Sequence, residues 1–296
     1  VTTVDRGRYG VVVGDRVVTA MTARELGRHG VVVGDRVALI GDISGAPGTL
    51  ARVVRVTPRT SVLRRSADDT DPVERIIVAN ANQLAIVCAL ADPPPRPRLI
   101  DRFLVAAYDA GLSPLLCLTK ADLAAADSIL AVYGPLGTAH VVLRQPLTDS
   151  HLDPLREQLT DRITVLVGHS GVGKSTLVNA LVPGAHRAVG TVSPVTGRGR
   201  HTSSSAIALR LPGGGWLIDT PGLRGFGLAH VAPDRVVRAF PDLSPGTAAC
   251  PRGCTHLEPD CALDDWVRDQ GGDARLVTRL DSLRRLLRSR EGDEAA

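Results

Sequence analysis

This chain contains two lysines, Lys120 and Lys174, and arginine supplies the rest of its 35 basic residues. Both lysines lie in stretches whose spacing could handle a nucleotide. Gly168-His169-Ser170-Gly171-Val172-Gly173-Lys174-Ser175 fits the phosphate-binding pattern G-x-x-x-x-G-K-[ST] in full. In such a loop the backbone N–H groups from Gly168 to Gly173, with the first helical turn from Lys174 to Thr176, cradle phosphate oxygens. Lys174 would reach the β and γ phosphates and support turnover, and the Ser175 hydroxyl would ligate Mg²⁺. Thr119-Lys120-Ala121-Asp122 has the makings of a base-reading loop. A carboxylate such as Asp122 accepts from guanine N1–H and the exocyclic amine, a donor pair that adenine lacks, so the wrong base would leave it unpaired. Lys120 would lay its aliphatic stem along the purine. Thr119 stands where this motif usually has Asn, and exchanging an amide for a hydroxyl predicts a modest nucleotide affinity. Asp219-Thr220-Pro221-Gly222 adds a carboxylate that would hold Mg²⁺ through water and a Gly222 N–H that would sense the γ-phosphate. In isolation it could equally be an ordinary proline turn.

The elements that must position these residues are legible on either side of them. Ile163 to Val167 is an apolar, β-branched run suited to a buried parallel strand, and Ser175 to Leu181 suits a helix. Apolar runs at 114–118 and 216–218 lead into the base-reading and Asp219 motifs. The base-reading motif comes before the phosphate loop, the reverse of an ordinary GTPase, so the order implies a circularly permuted G domain. Residues 196–205 are polar, contain glycine and show no periodicity. Such a stretch is either a switch loop ordered by γ-phosphate and Mg²⁺ or a plain linker.

A second constellation closes the chain. Cys250, Cys254, His256 and Cys261 put four ligands inside twelve residues, a Cys₃His set that suits one tetrahedral, structural Zn²⁺ per chain. The other two cysteines, Cys88 and Cys117, lie in apolar strands, which argues against a secreted disulfide framework. Beyond the cluster, Leu276, Leu280, Leu283 and Leu287 share one helical face. Arg275, Arg279, Arg285 and Arg288 are expected mainly elsewhere on that helix, facing nucleic-acid phosphates or plain solvent.

Residues 1 to about 66 read as short Val-rich strands broken by glycine turns, and predict a small β-barrel. The stretch at 9–18 nearly recurs at 29–38, as two similar strand corners rather than a solenoid repeat. Arg24, Arg28, Arg52, Arg55 and Arg59 would give an OB-fold an RNA-facing surface, or simply a solvated one. Residues 66–72 are acidic, small and Pro-ended, and are expected to form a linker. With 296 residues, 44% of them hydrophobic and only 3% aromatic, the chain could hold two or three domains with cores of Val, Leu, Ile and Ala. A net charge of +4 permits RNA binding without requiring it. Asp5, Arg6 and Arg8 near the start, with no apolar run long enough for a membrane span, predict a soluble, cytoplasmic protein. The chain starts at Val1, which an alternative start codon or processing would each explain.

Taken in order, these stretches resemble the RsgA (YjeQ) GTPases. The likeness includes 58–65 (Pro-Arg-Thr-Ser-Val-Leu-Arg-Arg), 79–83 (Ala-Asn-Ala-Asn-Gln), expected on the first strand of the G domain, and 99–104 (Leu-Ile-Asp-Arg-Phe-Leu). It continues through 197–202 (Gly-Arg-Gly-Arg-His-Thr) and the Cys/His cluster. The resemblance implies an N-terminal all-β OB-fold barrel (1–72, with linker), a central α/β permuted P-loop GTPase domain (73–228), and a mostly helical zinc-binding domain (229–296). It implies GTP hydrolysis that is slow alone and stimulated by the small ribosomal subunit, acting in late maturation of that subunit through rRNA binding. The expected partners are GTP or GDP and the small subunit with its rRNA, with no membrane and a monomeric chain. Two intervals in the Cys₃His cluster are one residue shorter than is usual in that family. Leu223 follows Gly222 where Ras-like enzymes place a water-orienting Gln, and an apolar side chain cannot do that work. His201 is the candidate to position water, with Thr202 or Ser203 near Mg²⁺ or the γ-phosphate; His201 could instead contact rRNA. Residues 141–150 lack a recognisable guanine contact of the Ser-Ala type. Two other readings stand beside this one: a nucleotide-gated RNA-binding scaffold with little turnover, and a permuted GTPase serving the large subunit or a membrane.

Overall fold

The structure is a computed structural model that describes residues 1–23, 26, 30–66, 69, 73–185, 206–220 and 226–291. Its first five strands are β1 (Thr3–Asp5), β2 (Arg8–Val13), β3 (Arg16–Thr22), β4 (Val37–Gly41) and β5 (Ala51–Val56). They run side by side as β1-β2-β3-β5-β4, with β3 and β5 parallel and the other pairs antiparallel. Alternate residues of β3 and β5 face inward, and Val11, Val18, Ala20, Val31, Ala51 and Val53 fill a core that needs almost no aromatic side chain. Gly34 N–H donates to Val1 O at 2.9 Å and draws the segment before β4 onto the start of β1. This is the partly open five-stranded barrel that the Val-rich strands predict.

A two-stranded sheet follows, β6 (Val62–Arg65) against β7 (Arg75–Ala79). The expected linker between them is tied down at both described positions. Asp69 Oδ1 accepts from Arg102 Nη1 at 2.6 Å and from Leu228 N–H at 2.9 Å, and the Ser66 hydroxyl accepts from Ala229 N–H at 3.1 Å. Small acidic residues read as solvated spacer, yet their oxygens here are acceptors for donors far along the chain.

The central domain is built from β8 (Gln83–Ala89), α1 (Pro97–Asp109), β9 (Ser113–Thr119), α2 (Asp127–Tyr133), β10 (Ala139–Val142), α3 (Asp149–Leu159), β11 (Ile163–Val167), α4 (Lys174–Leu181), β12 (Ile207–Arg210) and β13 (Trp216–Asp219). Its strands lie in the order β10-β9-β8-β11-β13-β12, all parallel except β12. β8 is buried along its whole length because the sheet is covered on both faces. Ala85, Val87 and Ala89 pack toward α3 and α4, while Leu84, Ile86 and Cys88 pack toward α1. The 79–83 motif sits at the turn into β8. Asn80 Oδ1 accepts from Thr60 N–H at 2.8 Å, Asn82 Oδ1 accepts from Ile163 N–H at 2.9 Å, and Gln83 Oε1 accepts from the Thr164 hydroxyl at 2.7 Å. These amides therefore stitch the barrel side and β11 to the first central strand.

Thr3 of β1 pairs with Ile207 of β12, so barrel and central strands form one 11-stranded sheet. Beyond the sheet come α5 (Pro233–Arg238), α6 (Ser244–Thr247), α7 (Ala262–Asp269) and α8 (Ala274–Glu291), which cover the α1 side. Leu280, Leu283, Leu286 and Leu287 are buried there. Arg279 is buried with them, at 2% exposure, against the expectation that it faces outward. Its position three residues from Leu276 and four from Leu283 is in the apolar stripe itself. No helix among the described residues is long and apolar enough to cross a membrane.

Candidate functional site

The carboxyl ends of β8, β9, β11 and β13 are where a doubly wound sheet presents ligand-binding loops, and the predicted nucleotide residues gather there. β11 delivers the chain into Gly168 with φ +153°, and a Cβ at that position would stand 2.4 Å from Val87 O, so only glycine fits. Gly173, at φ +94°, turns the loop into α4. Lys174 is nearly buried, and its Nζ donates to Gly168 O at 2.5 Å and His169 O at 2.9 Å. Desolvation lowers its pKa to about 8, opposed by the charge of Asp219. An ammonium wrapped by neutral carbonyls of its own loop is undercompensated, and a polyphosphate would supply the missing charge.

Asp219 is buried and pairs in register with Leu166, at the same level of the sheet as the phosphate loop. The Thr220 hydroxyl donates to Leu166 O at 2.7 Å and fixes the chain as it leaves β13. Ser175 and Thr176 are half-buried in the first turn of α4. Pro221, Gly222 and Leu223 lie outside the described residues, as do His201, Thr202 and Ser203.

Thr119 has a second task that its sequence does not announce. Its hydroxyl donates to Val172 O at 2.7 Å, tying the end of β9 directly to the phosphate loop 53 residues away. Lys120 adopts φ +59° and its Nζ donates to Asp92 O. Asp122 Oδ1 accepts from Gln145 N–H at 2.8 Å, the leading cause that lowers its pKa, so it is held as the ionised acceptor that guanine reading needs. Ala121 N–H donates to Leu143 O at 3.0 Å. The segment after β10, unrecognised as a base contact, thus supports the base-reading loop through its backbone. Backbone carries no side-chain signature, and only the position after the edge strand β10 could have indicated it.

The thiolate cluster assembles between α6 and α7. His256 Nδ1 lies 3.6 Å from Cys250 Sγ, 3.7 Å from Cys254 Sγ and 3.6 Å from Cys261 Sγ, and the Cys250 and Cys261 sulfurs are 3.9 Å apart. Tetrahedral Zn²⁺ with ordinary bond lengths requires about 3.6 Å between N and S and about 3.8 Å between two S atoms. The four donors fit, through Nδ1, despite the shortened intervals. His256 takes φ +65°, which tightens the loop. Burial pushes the Cys254 thiol up to about 12 and raises Cys250, and a bound cation would reverse both.

Two expected RNA-facing arginines are committed elsewhere. Arg59 pairs with fully buried Asp35 at 2.7 Å and donates to Gly30 O at 2.9 Å. Arg279 pairs with buried Asp101 and with Asp242 at 3.0 Å, over the ring of Phe240 at 4.2 Å. Both face carboxylates remote in sequence, which helical or strand periodicity cannot reveal. Arg52 and Arg55 are exposed on β5; Arg275 is exposed but paired with Asp273, Arg285 pairs with Asp281, and Arg288 is exposed. Arg24 and Arg28 lie outside the described residues.

A phosphate loop, a Mg²⁺-side carboxylate and a guanine-type loop on one parallel sheet, with the base loop earliest in the chain, define a circularly permuted GTPase. Comparison with known proteins agrees. Residues 56–229 match the family described as RsgA GTPase. The chain is 40% identical over 250 residues to the small ribosomal subunit biogenesis GTPase RsgA of Ectopseudomonas mendocina, covering 82% of this chain and 71% of that protein. It is 42% identical over 225 residues to the protein of that name from Pseudomonas aeruginosa, covering 73% of this chain and 65%, just under two thirds, of that protein. Its fold resembles YloQ, a circularly permuted GTPase, with a TM-score of 0.70 and 22% identity over 100% of this chain and 95% of that one. It also resembles YjeQ from Thermotoga maritima, with a TM-score of 0.67 and 24% identity over 92% and 91%. The chain belongs to the RsgA GTPase family.

Proposed function

We propose that this protein hydrolyses GTP to GDP and phosphate in late maturation of the small ribosomal subunit, and that the subunit and its rRNA stimulate turnover. The observation that carries the reading is Lys174, buried in its own loop and short of negative charge, beside Asp219 and within one loop of the Thr119–Asp122 motif. Gly168 to Thr176 bind the triphosphate, and Lys174 exchanges carbonyl partners for β and γ phosphate oxygens as charge develops on the transferred group. Asp122 selects guanine, Lys120 covers the purine, and Thr119 and Ala121 hold that loop in place. Ser175, Asp219 and Thr202 are the residues that would hold Mg²⁺, which neutralises phosphate charge when bound. Gly222 N–H senses the γ-phosphate, and His201 orients the attacking water in ribosome-stimulated turnover.

Cys250, Cys254, His256 and Cys261 hold one structural Zn²⁺, since all four donors converge and none leaves an open position for a substrate. The working division is a barrel at 1–72, a GTPase domain at 73–228 and a zinc-binding helical domain at 229–296. The family match over 56–229 supports the central one. We place the protein in the cytoplasm as a monomer without a membrane partner.

The test is GTP hydrolysis with purified small subunits, large subunits and neither, run in parallel. Stimulation by small subunits alone is expected. An unchanged rate would favour an RNA-binding scaffold, and stimulation by large subunits would favour the other branch of ribosome assembly. His201→Ala should keep GTP affinity and subunit binding but lose most stimulated turnover; full stimulated turnover would remove the catalytic role.

A further inference from the structure

Arg284, on α8, reaches back to the Cys₃His cluster from outside it. Its Nε donates to His256 O at 3.0 Å, and its Nη1 and Nη2 grip Asp264 at 2.7 and 2.6 Å, bidentate. Asp264 is in the first turn of α7, three residues after the ligand Cys261. One guanidinium therefore ties the third ligand residue to the helix that follows the fourth, with its side chain only 17% exposed. Three thiolates and a neutral imidazole around a divalent cation carry a net charge of −1, and metal ligands depend on outer groups that orient them and balance their charge. Charges of both signs lie nearby, with Asp234 and Arg238 lining the surface beside Cys250, Cys254 and His256. Glu258 lies against Cys254 and accepts from Thr255 N–H, and Asp234 acts on His256 through its charge. Arg284 is a cation that touches a ligand residue directly, through His256 O.

We propose that Arg284 is the positioning residue of the Cys₃His centre, orienting His256 through its carbonyl and balancing the negative metal–thiolate unit, so that the metal site and α8 close together. The inference rests on the zinc reading above. Its consequence reaches beyond the cluster, because the same helix carries Arg279 and Ser282 onto Asp101 of α1.

The experiment is competition between the full-length protein and a chromophoric chelator for Zn²⁺, repeated with Co²⁺ to read the ligand field. Arg284→Gln should lower zinc affinity by about 10–100-fold. Arg284→Lys, which keeps the charge but loses the fork, should fall between that variant and wild type. Arg288→Gln makes the same charge change at an exposed position of the same helix and should stay within about twofold of wild type. Asp264→Asn guards against misfolding as the explanation, because it weakens the fork yet leaves the bond to His256 O; it should lose less affinity than Arg284→Gln. Arg284→Gln with wild-type zinc affinity and an unchanged Co²⁺ spectrum would overturn the inference, as would an equal loss in Arg288→Gln. Wild-type protein that takes up no zinc would instead sink the reading of the cluster itself.

Discussion

The phosphate loop and the contact of α8 with α1 each bury a cation, and they treat it in opposite ways. Among the described residues Lys174 meets backbone carbonyls and the charge of Asp219, and burial drags its pKa down. Arg279, at 2% exposure, meets two carboxylates, the ring of Phe240 and, at 6.0 Å, the ring of Tyr133. A buried charge is tolerated only when paired or when it is waiting for a ligand. The compensated cation is therefore a rivet and the undercompensated one is a binding site. Burial alone does not separate them; the charge of the first neighbours does.

The largest effect is expected at Arg279. Arg279→Met should cost about 3–5 kcal/mol of unfolding free energy, because Asp101 would remain buried without its cation. Urea unfolding reads this directly, and adding Asp101→Leu should recover most of the loss. A single-variant cost under about 1 kcal/mol would mean that the pair is not a rivet.

Lys174→Ala should behave in the reverse sense. GTP binding should weaken by about 1.5–3 kcal/mol, read by titration of a fluorescent nucleotide, with hydrolysis falling too. The stability of the nucleotide-free protein should hold or rise. A large loss of stability would place Lys174 with Arg279.

The lowered pKa of Lys174 sharpens the contrast further. Between about 8 and 10.5 the unfolded chain binds the proton that the folded chain has released. Its unfavourable contribution is full below about pH 8 and fades as pH rises toward 10.5. The stability advantage of Lys174→Ala over wild type should accordingly shrink between pH 7.5 and 10 in parallel denaturant titrations. Over the same range wild type should lose GTP affinity, since the neutral amine cannot pair with phosphate. An advantage independent of pH would refute the assignment.

The smallest effects belong to the solvated cations. Arg52→Ala and Arg288→Ala remove exposed side chains and should each change unfolding free energy by no more than about 0.5 kcal/mol. Arg59→Ala, whose partner Asp35 is fully buried, should cost clearly more than Arg52→Ala on the same barrel. Equal costs would make Arg59 the surface residue that its sequence setting suggests.

Asp122 needed no tertiary information to be noticed, nor did the glycines around Lys174 or the four zinc-type ligands. Each group is read within a span of four to twelve residues, because a phosphate loop, a purine-edge carboxylate and a tetrahedral ion are all satisfied by local chain geometry. The permuted order of the motifs and the Val-rich strands fixed the fold class in the same way. What the motifs lean on was hidden: Leu143 and Gln145 act through backbone groups, and Asp92 through a carbonyl.

By itself, then, the sequence determined the permuted α/β domain, the nucleotide motifs and the Cys₃His set, since periodicity and short spacing report local geometry. Only the tertiary structure decided which arginines are surface and which are rivets. Arg279 meets Asp101 from 178 residues away, Arg59 meets Asp35 across 24, and the supposed spacer residue Asp69 holds Arg102 and Leu228. An arginine's charge is the same in every context, but what that charge does depends on the carboxylates that folding brings to it, and no local pattern encodes those distances.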